Sequence, residues 1–366
     1  MSEGRHIRAL GVDRPGAAYL HGYDEGPLEP GQVRLDTLYT GFSAGTELTF
    51  IKGSNPYLHA RWDGGRGVFV TGEPQQHFPV PFLGYMESAL VSESAVADFA
   101  PGDEVGAVYG HKSGHTANPF HDLLTKLPPD IDAILGIYVG QMGPIAANGI
   151  LHADAELLGR SATSLGASLA GRPVLVIGAG VVGLLVALFA QQAGASEVVI
   201  SDPSPFRRLR ATCLGMTAMT QDQAWNHAKV RWLHGGDDRG ADIVFQTRAD
   251  NASLHAAMQA LRPQGTVIDL AFYQGGSPDL RLGEEFHHNG LNLRCAQINR
   301  VPRCLSFAWD KARLAGETVK LLHARGNEIK AQMITHVVPM EEAPAFIHHL
   351  VTERPDFLQI VFKIAD

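Results

Sequence analysis

Val174-Leu-Val-Ile-Gly178-Ala-Gly180-Val-Val-Gly183, followed nineteen residues later by Asp202, is the stretch that decides the fold. Four apolar residues read as a buried parallel strand, the glycines as a tight turn, and Leu184 to Ala193 as the helix behind it. Gly178 permits the turn, Gly180 lets backbone approach a pyrophosphate, and Gly183 lets helix and strand pack closely. The phosphates then sit at the helix N-terminus, beside Val181 and Val182, where unpaired N–H groups and the helix dipole favour negative charge. Glycines also mark ordinary turns, so the pattern alone decides little. Here a second apolar strand, Glu197-Val-Val-Ile-Ser-Asp202, ends in an acid at the spacing that suits a ribose diol. The combination predicts dinucleotide binding; the alternative is a nucleotide-free doubly wound domain.

This fingerprint begins near the middle of 366 residues, which predicts two domains, each able to bury its own core. The composition is globular, at 45% hydrophobic and 19% charged residues. A formal net charge of −8 with no polybasic cluster argues against a nucleic-acid partner. No apolar run approaches the length of a membrane span, and the N-terminus, with Glu3, Arg5, His6 and Arg8, has no apolar signal core. A cytoplasmic protein acting on a small molecule is the expectation. The three cysteines, Cys213, Cys295 and Cys304, form no disulfide framework, fit a reducing compartment and are too few for a four-cysteine zinc site.

The first part of the chain is β-rich. Gln32-Val-Arg-Leu-Asp-Thr-Leu-Tyr alternates with period two, and turn clusters recur at Gly64-Gly65, Pro101-Gly-Asp103 and Pro128-Pro129. From Gly140 to Gly171 the pattern is helical. Strand candidates Ala241-Asp-Ile-Val-Phe, Gly265-Thr-Val-Ile-Asp-Leu and Leu291-Asn-Leu-Arg-Cys follow, separated by helical segments such as Ala252 to Leu261. This alternation predicts a parallel sheet with helices on both faces. The tail returns to mixed structure, ending in the strand-like Leu358-Gln-Ile-Val-Phe-Lys-Ile.

The layout resembles the medium-chain dehydrogenase/reductase superfamily, the family of the zinc alcohol dehydrogenases. Gly41-Phe-Ser-Ala-Gly-Thr-Glu47 is similar to its first active-site loop, Gly84-Tyr-Met-Glu87 stands where Gly-His-Glu is usual, and Pro101-Gly-Asp-Glu-Val105 resembles its Pro-Gly-Asp-x-Val turn. Gly240-Ala-Asp-Ile-Val-Phe resembles its fourth nucleotide-domain strand. The Ser-Ala-Gly-Thr-Glu version, with His287-His288, Gln297-Ile-Asn and Trp309-Asp-Lys-Ala-Arg-Leu, resembles a divergent branch associated with polyol, cyclitol and bacteriochlorophyllide dehydrogenases. The resemblance implies an α/β protein: a β-rich GroES-like catalytic domain over residues 1–140 and 299–366, and a Rossmann doubly wound parallel sheet over 141–298.

Members with catalytic zinc bind it through a cysteine in the first loop, a histidine in Gly-His-Glu and a later cysteine or acid. Here those places read Ser43 or Ala44, Tyr85, and Gly140-Gln-Met-Gly-Pro-Ile. A hydroxyl and a phenol are poor zinc ligands at neutral pH, so zinc in the usual place is not expected. His111, His115 and His121 offer a rival set, but Gly110, Gly114 and Pro119 make the segment a loop, and solvated loop histidines are the expectation. Without zinc, a side chain must handle the proton that accompanies hydride transfer. The loops that the resemblance places beside the substrate offer Thr46, Glu47, Tyr85, His111 and Lys112. Tyr85 reads as an acid, a hydrogen-bond donor or a core aromatic with a satisfied hydroxyl, and Lys112 as a neighbour that depresses its pKa. His111 is the candidate of the residue type best suited to acid–base work near neutral pH. Glu47 reads foremost as an acid that structures its loop.

Asp202 favours NAD over NADP by accepting from a 2′-OH and repelling a 2′-phosphate, whereas Arg207 and Arg208 close by suit a phosphate or the adenine side. The expected function is a zinc-independent, NAD-dependent interconversion of a secondary alcohol and ketone on a polyol-like or cyclic molecule. The alternatives are a zinc-free reductase of activated double bonds or quinones, and a cofactor-binding sensor without turnover. The segment from Pro56 to Glu73, which would shape the substrate pocket, carries no readable code. The strand of residues 291–297 is expected at a sheet edge, pairing two copies in a homodimer with Leu291 and Leu293 in or beside the contact.

Overall fold

A computed structural model describes residues 3–274, 276 and 280–364. The chain divides into two compact units, Met1–Gln141 with Ile334–Asp366, and Met142–Met333. Among the described residues no helix is long and apolar enough to cross a membrane.

The second unit is a six-stranded, all-parallel sheet. Its order is Thr217–Met219, Glu197–Ser201, Pro173–Ile177, Ala241–Gln246, Leu261–Asp269, Asn292–Cys295. The apolar runs seen in sequence become its central strands, because a parallel sheet covered on both faces needs side chains that tolerate burial on either side. Leu175, Ile177, Val199 and Val244 sit in one core cluster with Leu254, Met258 and Leu291 from the flanking segments. The strand order reverses between Pro173–Ile177 and Ala241–Gln246, the switch point at which such sheets take ligands at their carboxyl ends. Asn292–Cys295 lies at the sheet edge, as its sequence led us to expect.

The helix Lys311–Met333 begins where Asp310 accepts the Arg313 N–H at 2.8 Å, as an N-cap does. It packs on Met142–Leu158 closely enough that a side chain at Gly143 would meet Thr318 at 2.2 Å. Arg325 ties it further, donating to Gln191 at 3.1 Å and to the Leu214 carbonyl at 3.2 Å. The second unit therefore runs to Met333 rather than ending at 298. Residues 299–333 stay with it because their apolar stripe, Leu314, Leu321 and Leu322, is buried there.

The first unit centres on a seven-stranded sheet ordered Ile334–Pro339, Gln359–Lys363, Val33–Phe42, Glu87–Ser94, Glu104–Ala107, Leu124–Lys126, with Gly114–Ala117 also paired to Val33–Phe42. The C-terminal strand Gln359–Lys363 runs antiparallel to Val33–Phe42 and places Phe362 beside Phe42 in a shared core. Directly after Phe42 the chain turns into the helix Ala44–Ile51. That strand-to-helix turn carries the first loop singled out in the sequence.

Candidate active site

In the second unit the glycine turn has the shape its sequence implies. Gly178 has φ +103, a conformation side-chain-bearing residues rarely adopt, and a side chain there would also meet Thr247 Oγ1 at 2.8 Å. A Cβ on Gly183 would stand 1.8 Å from the Gly178 carbonyl oxygen, so helix and turn approach as closely as backbone permits. Gly180 faces open space, with Arg207 the nearest atom to an added Cβ at 3.9 Å. The helix Val181–Gln192 has no side-chain cap, which leaves N–H groups at its start available to an anion. A pyrophosphate fits this cradle.

Asp202 is 2% exposed, and both its oxygens already accept backbone N–H groups, Ala179 at 3.0 Å and Ser204 at 2.9 Å. Its immediate effect is to tie the glycine turn to the end of the second strand. Arg207 approaches the same carboxylate at 3.8 Å, and Arg208 donates to the carbonyls of Asp202 and Pro203 at 2.7 and 2.8 Å.

In the first unit Ser43 is the N-cap residue of the helix Ala44–Ile51, but its hydroxyl does not cap. It makes a short contact with the Tyr85 hydroxyl, and Thr46 Oγ1 lies 3.3 Å from the same phenol. Glu47, in the first turn where the dipole favours an acid, reaches back to the Ser43 N–H at 2.7 Å. Its other oxygen accepts from His111 Nε2 at 2.7 Å, while Thr40 Oγ1 faces His111 Nδ1 at 2.7 Å. The imidazole is enclosed by Phe42 and Phe362. Gly84, at φ +89, lets the chain bearing Tyr85 pass over that ring, since a side chain there would meet His111 Nε2 at 2.9 Å.

The structure thus brings Ser43, Thr46, Glu47, Tyr85 and His111 together, and it revises three expectations. His111 is not an open loop side chain: both ring nitrogens are engaged, by Glu47 and Thr40, and its side chain is 0% exposed. His111 and His115 are buried rather than solvated: residues 114–117 form a strand, and His115 stacks on Tyr109 and lies 3.3 Å from Glu87. Only His121 of that trio is exposed, and the three do not converge. Lys112 does not act on Tyr85. Its ammonium lies 4.2 Å from the Phe82 ring centre, with Tyr23 and Tyr109 also near, and burial lowers its pKa against the pull of Glu87 and Glu25. The Tyr85 pKa is instead raised, chiefly by burial, with Ser43 and Thr46 opposing and Glu47 adding to the rise. The phenol is held in its proton-bearing form.

Ser43 and Ala44, with Tyr85 opposite, offer hydroxyls and a methyl group, a donor set that does not suit zinc. Among the described residues, the one group of three potential ligands from histidine, cysteine or acid lies in the other unit, at His255, Glu284 and Glu285. Sequence reasoning did not anticipate Thr40 as a partner of His111, nor Ser43 as a partner of Tyr85. The readable signal was an acid one turn into a helix that opens with serine.

The family model described as zinc-binding dehydrogenase matches residues 181–302. D-guloside 3-dehydrogenase of Escherichia coli (strain K12) is 23% identical over 96% of this chain and 97% of its own. Galactitol-1-phosphate dehydrogenase from Escherichia coli superposes with a TM-score of 0.72 at 15% identity, covering 97% of this chain and 99% of that one. A putative zinc-binding dehydrogenase from Sinorhizobium meliloti 1021, bound to NADP, superposes with a TM-score of 0.70 at 17% identity, covering 98% and 99%.

Proposed function

We propose that this chain, a member of the medium-chain dehydrogenase/reductase superfamily of zinc-type alcohol dehydrogenases, is an NAD-dependent oxidoreductase that needs no catalytic zinc. It interconverts a secondary alcohol and a ketone on a polyhydroxylated, cyclic or polyol-like small molecule. The relative named for oxidising position 3 of a guloside, matched along almost its whole length, supports that substrate class. The single observation that carries the reading is the hydroxyl trio of Ser43, Thr46 and Tyr85, in which Ser43 and Tyr85 stand at positions where the resemblance expects zinc ligands.

The nicotinamide supplies or takes the hydride. In the reducing direction the Tyr85 O–H donates its proton to the carbonyl oxygen, which becomes the alcohol hydroxyl. Ser43 and Thr46 donate to the phenolate oxygen left behind, and Ser43 passes its proton to that oxygen while taking one from water, so both hydroxyls are restored. In oxidation the proton travels the opposite way. His111 and Glu47 hold the loop that presents Ser43 and Thr46. The free cysteines Cys213, Cys295 and Cys304 support a reducing, cytoplasmic setting.

Tyr85→Phe removes the donor while keeping the ring. A screen of glycosides, cyclitols, polyols, quinones and enones, read by nicotinamide absorbance, should find turnover on a hydroxylated substrate. The variant should lose about 10²–10⁴-fold in kcat with NAD affinity unchanged. Because the Tyr85 pKa is raised, the reduction rate should show no tyrosine limb below about pH 10. Turnover on enones or quinones alone, or full activity in Tyr85→Phe, would refute the assignment. Cofactor binding without any turnover would mark a sensor.

NAD should bind more tightly than NADP, because the negative charge of Asp202 disfavours a 2′-phosphate. Asp202→Ala should weaken NAD by on the order of 1.5–3 kcal/mol and narrow the preference. Calorimetric titration showing the wild-type protein taking NADP at least as well would overturn this.

The exposed edge strand Asn292–Cys295 supports a homodimer in which two such edges pair. Leu293, 44% exposed, is the residue offered to that contact, whereas Leu291 belongs to its own unit's core. Light scattering at micromolar concentration should report a dimer; a monomer would remove the proposal.

A further inference from the structure

Outside the hydroxyl trio and the nucleotide cradle, a second set of chemistry-bearing side chains converges in the second unit. His255 lies on the helix Asn251–Ala260, and Glu284 and Glu285 lie in the turn Leu282–Phe286. One nitrogen and one oxygen from each carboxylate lie within 4.8 Å of one another, and His255 Nε2 stands 3.8 Å from Glu285 Oε2. That separation is too long for a hydrogen bond. It suits two ligands on one ion: with metal bonds of about 2.1 Å, neighbouring ligand atoms fall about 3.4 Å apart at a tetrahedral angle and further apart at wider ones.

Three more features point the same way. Glu285 Oε2 is shielded from solvent and has no hydrogen-bond partner, an unusual state for a buried polar atom. Adjacent residues of a regular helix do not face one another's neighbours, yet here consecutive glutamates both reach His255. The chain leaves helical geometry at Glu284, with φ −92 and ψ −119, and that break lets both carboxylates turn to one side. The turn is also held: His288 Nδ1 lies 3.1 Å from the carbonyls of Gly283 and Glu284, and Phe286 packs on the cluster containing Leu254 and Met258, on either side of His255 in sequence.

Among the described residues, two protein cations act on these acids. Arg281 pairs with Glu284 at 3.4 Å on the exposed side. Lys229 faces Glu285, but its ammonium is committed to the carbonyls of Arg239 and Leu261.

We propose that His255, Glu284 and Glu285 bind a divalent first-row transition ion of the Mn²⁺ or Zn²⁺ type. One imidazole and two carboxylates suit such ions, with water completing the shell, and disfavour Mg²⁺, which prefers oxygen ligands alone. The ion joins the helix after the fourth strand to the turn before the sixth, and it takes no part in hydride or proton transfer.

The test uses the full-length protein after exhaustive dialysis against EDTA and then metal-free buffer. Mn²⁺ is added and the free ion is followed by its electron paramagnetic resonance signal. One saturable Mn²⁺ per chain is expected, displaced by Zn²⁺ and untouched by a tenfold excess of Mg²⁺. H255A and E285Q should each weaken Mn²⁺ by about tenfold or more. E284Q alters the most exposed of the three and serves if either of the others fails to fold, as judged by circular dichroism. Absence of saturable Mn²⁺ or Zn²⁺ uptake, or uptake unaffected by these substitutions, would overturn the site. The readout is binding alone, so its outcome is independent of whether the oxidoreductase reading holds.

Discussion

The buried carboxylate of Glu47 is the contact on which the candidate catalytic loop depends. A charge taken out of water is costly unless every lone pair it needs is met. Here the Ser43 N–H, the His111 Nε2–H and the start of the helix Ala44–Ile51 together meet it. His111 is in turn oriented by Thr40 and boxed by Phe42 and Phe362, so two core aromatics, through an imidazole and an acid, fix where the first loop turns. Breaking a pair this deeply buried costs about 3–5 kcal/mol, because the survivor is left unmatched. The hydroxyls of Ser43 and Thr46 are presented to Tyr85 as a consequence of that arrangement.

The same principle, unpaired N–H groups at a helix start, acts differently in the two units. In the first, Glu47 meets the N-cap N–H from within the chain. In the second, Gly180 brings no side chain and the helix start is left open, so a phosphate can take the place an acid occupies elsewhere. Asp202 ties that second turn to the end of the second strand by accepting the Ala179 N–H.

Much of this was legible in the residues. The strand-glycine-helix pattern, the parallel sheet and the edge position of residues 292–295 follow from periodicity and turn chemistry. The family resemblance implied that the loop bearing Thr46 and Glu47 and the segment bearing Tyr85 lie near one another, but not that Ser43 would touch the Tyr85 hydroxyl. The rest depended on contacts that sequence separation conceals. His111 and His115 read as solvated because glycines surround them, yet backbone bonds of His111 to Leu10 and Leu83, and pairing of residues 114–117 to a central strand, draw them into the core. Lys112 sits three positions from Tyr109 and looked free to reach Tyr85, but an aromatic surface holds its ammonium elsewhere. The boundary at 298 was misplaced because the amphipathic stripe of Lys311–Met333 shows that a helix packs on something without showing on what.

In the proposed reaction protein hydroxyls, with Tyr85 foremost, perform the proton step that a zinc ion performs in zinc alcohol dehydrogenases. The most direct measurement is the turnover number of the protein stripped of all metal with a strong chelator, verified by elemental analysis, and compared with the same protein reloaded with Zn²⁺. The account predicts equal turnover in both states, even where reloading fills the site at His255. Loss of turnover on stripping, restored by Zn²⁺, would contradict it.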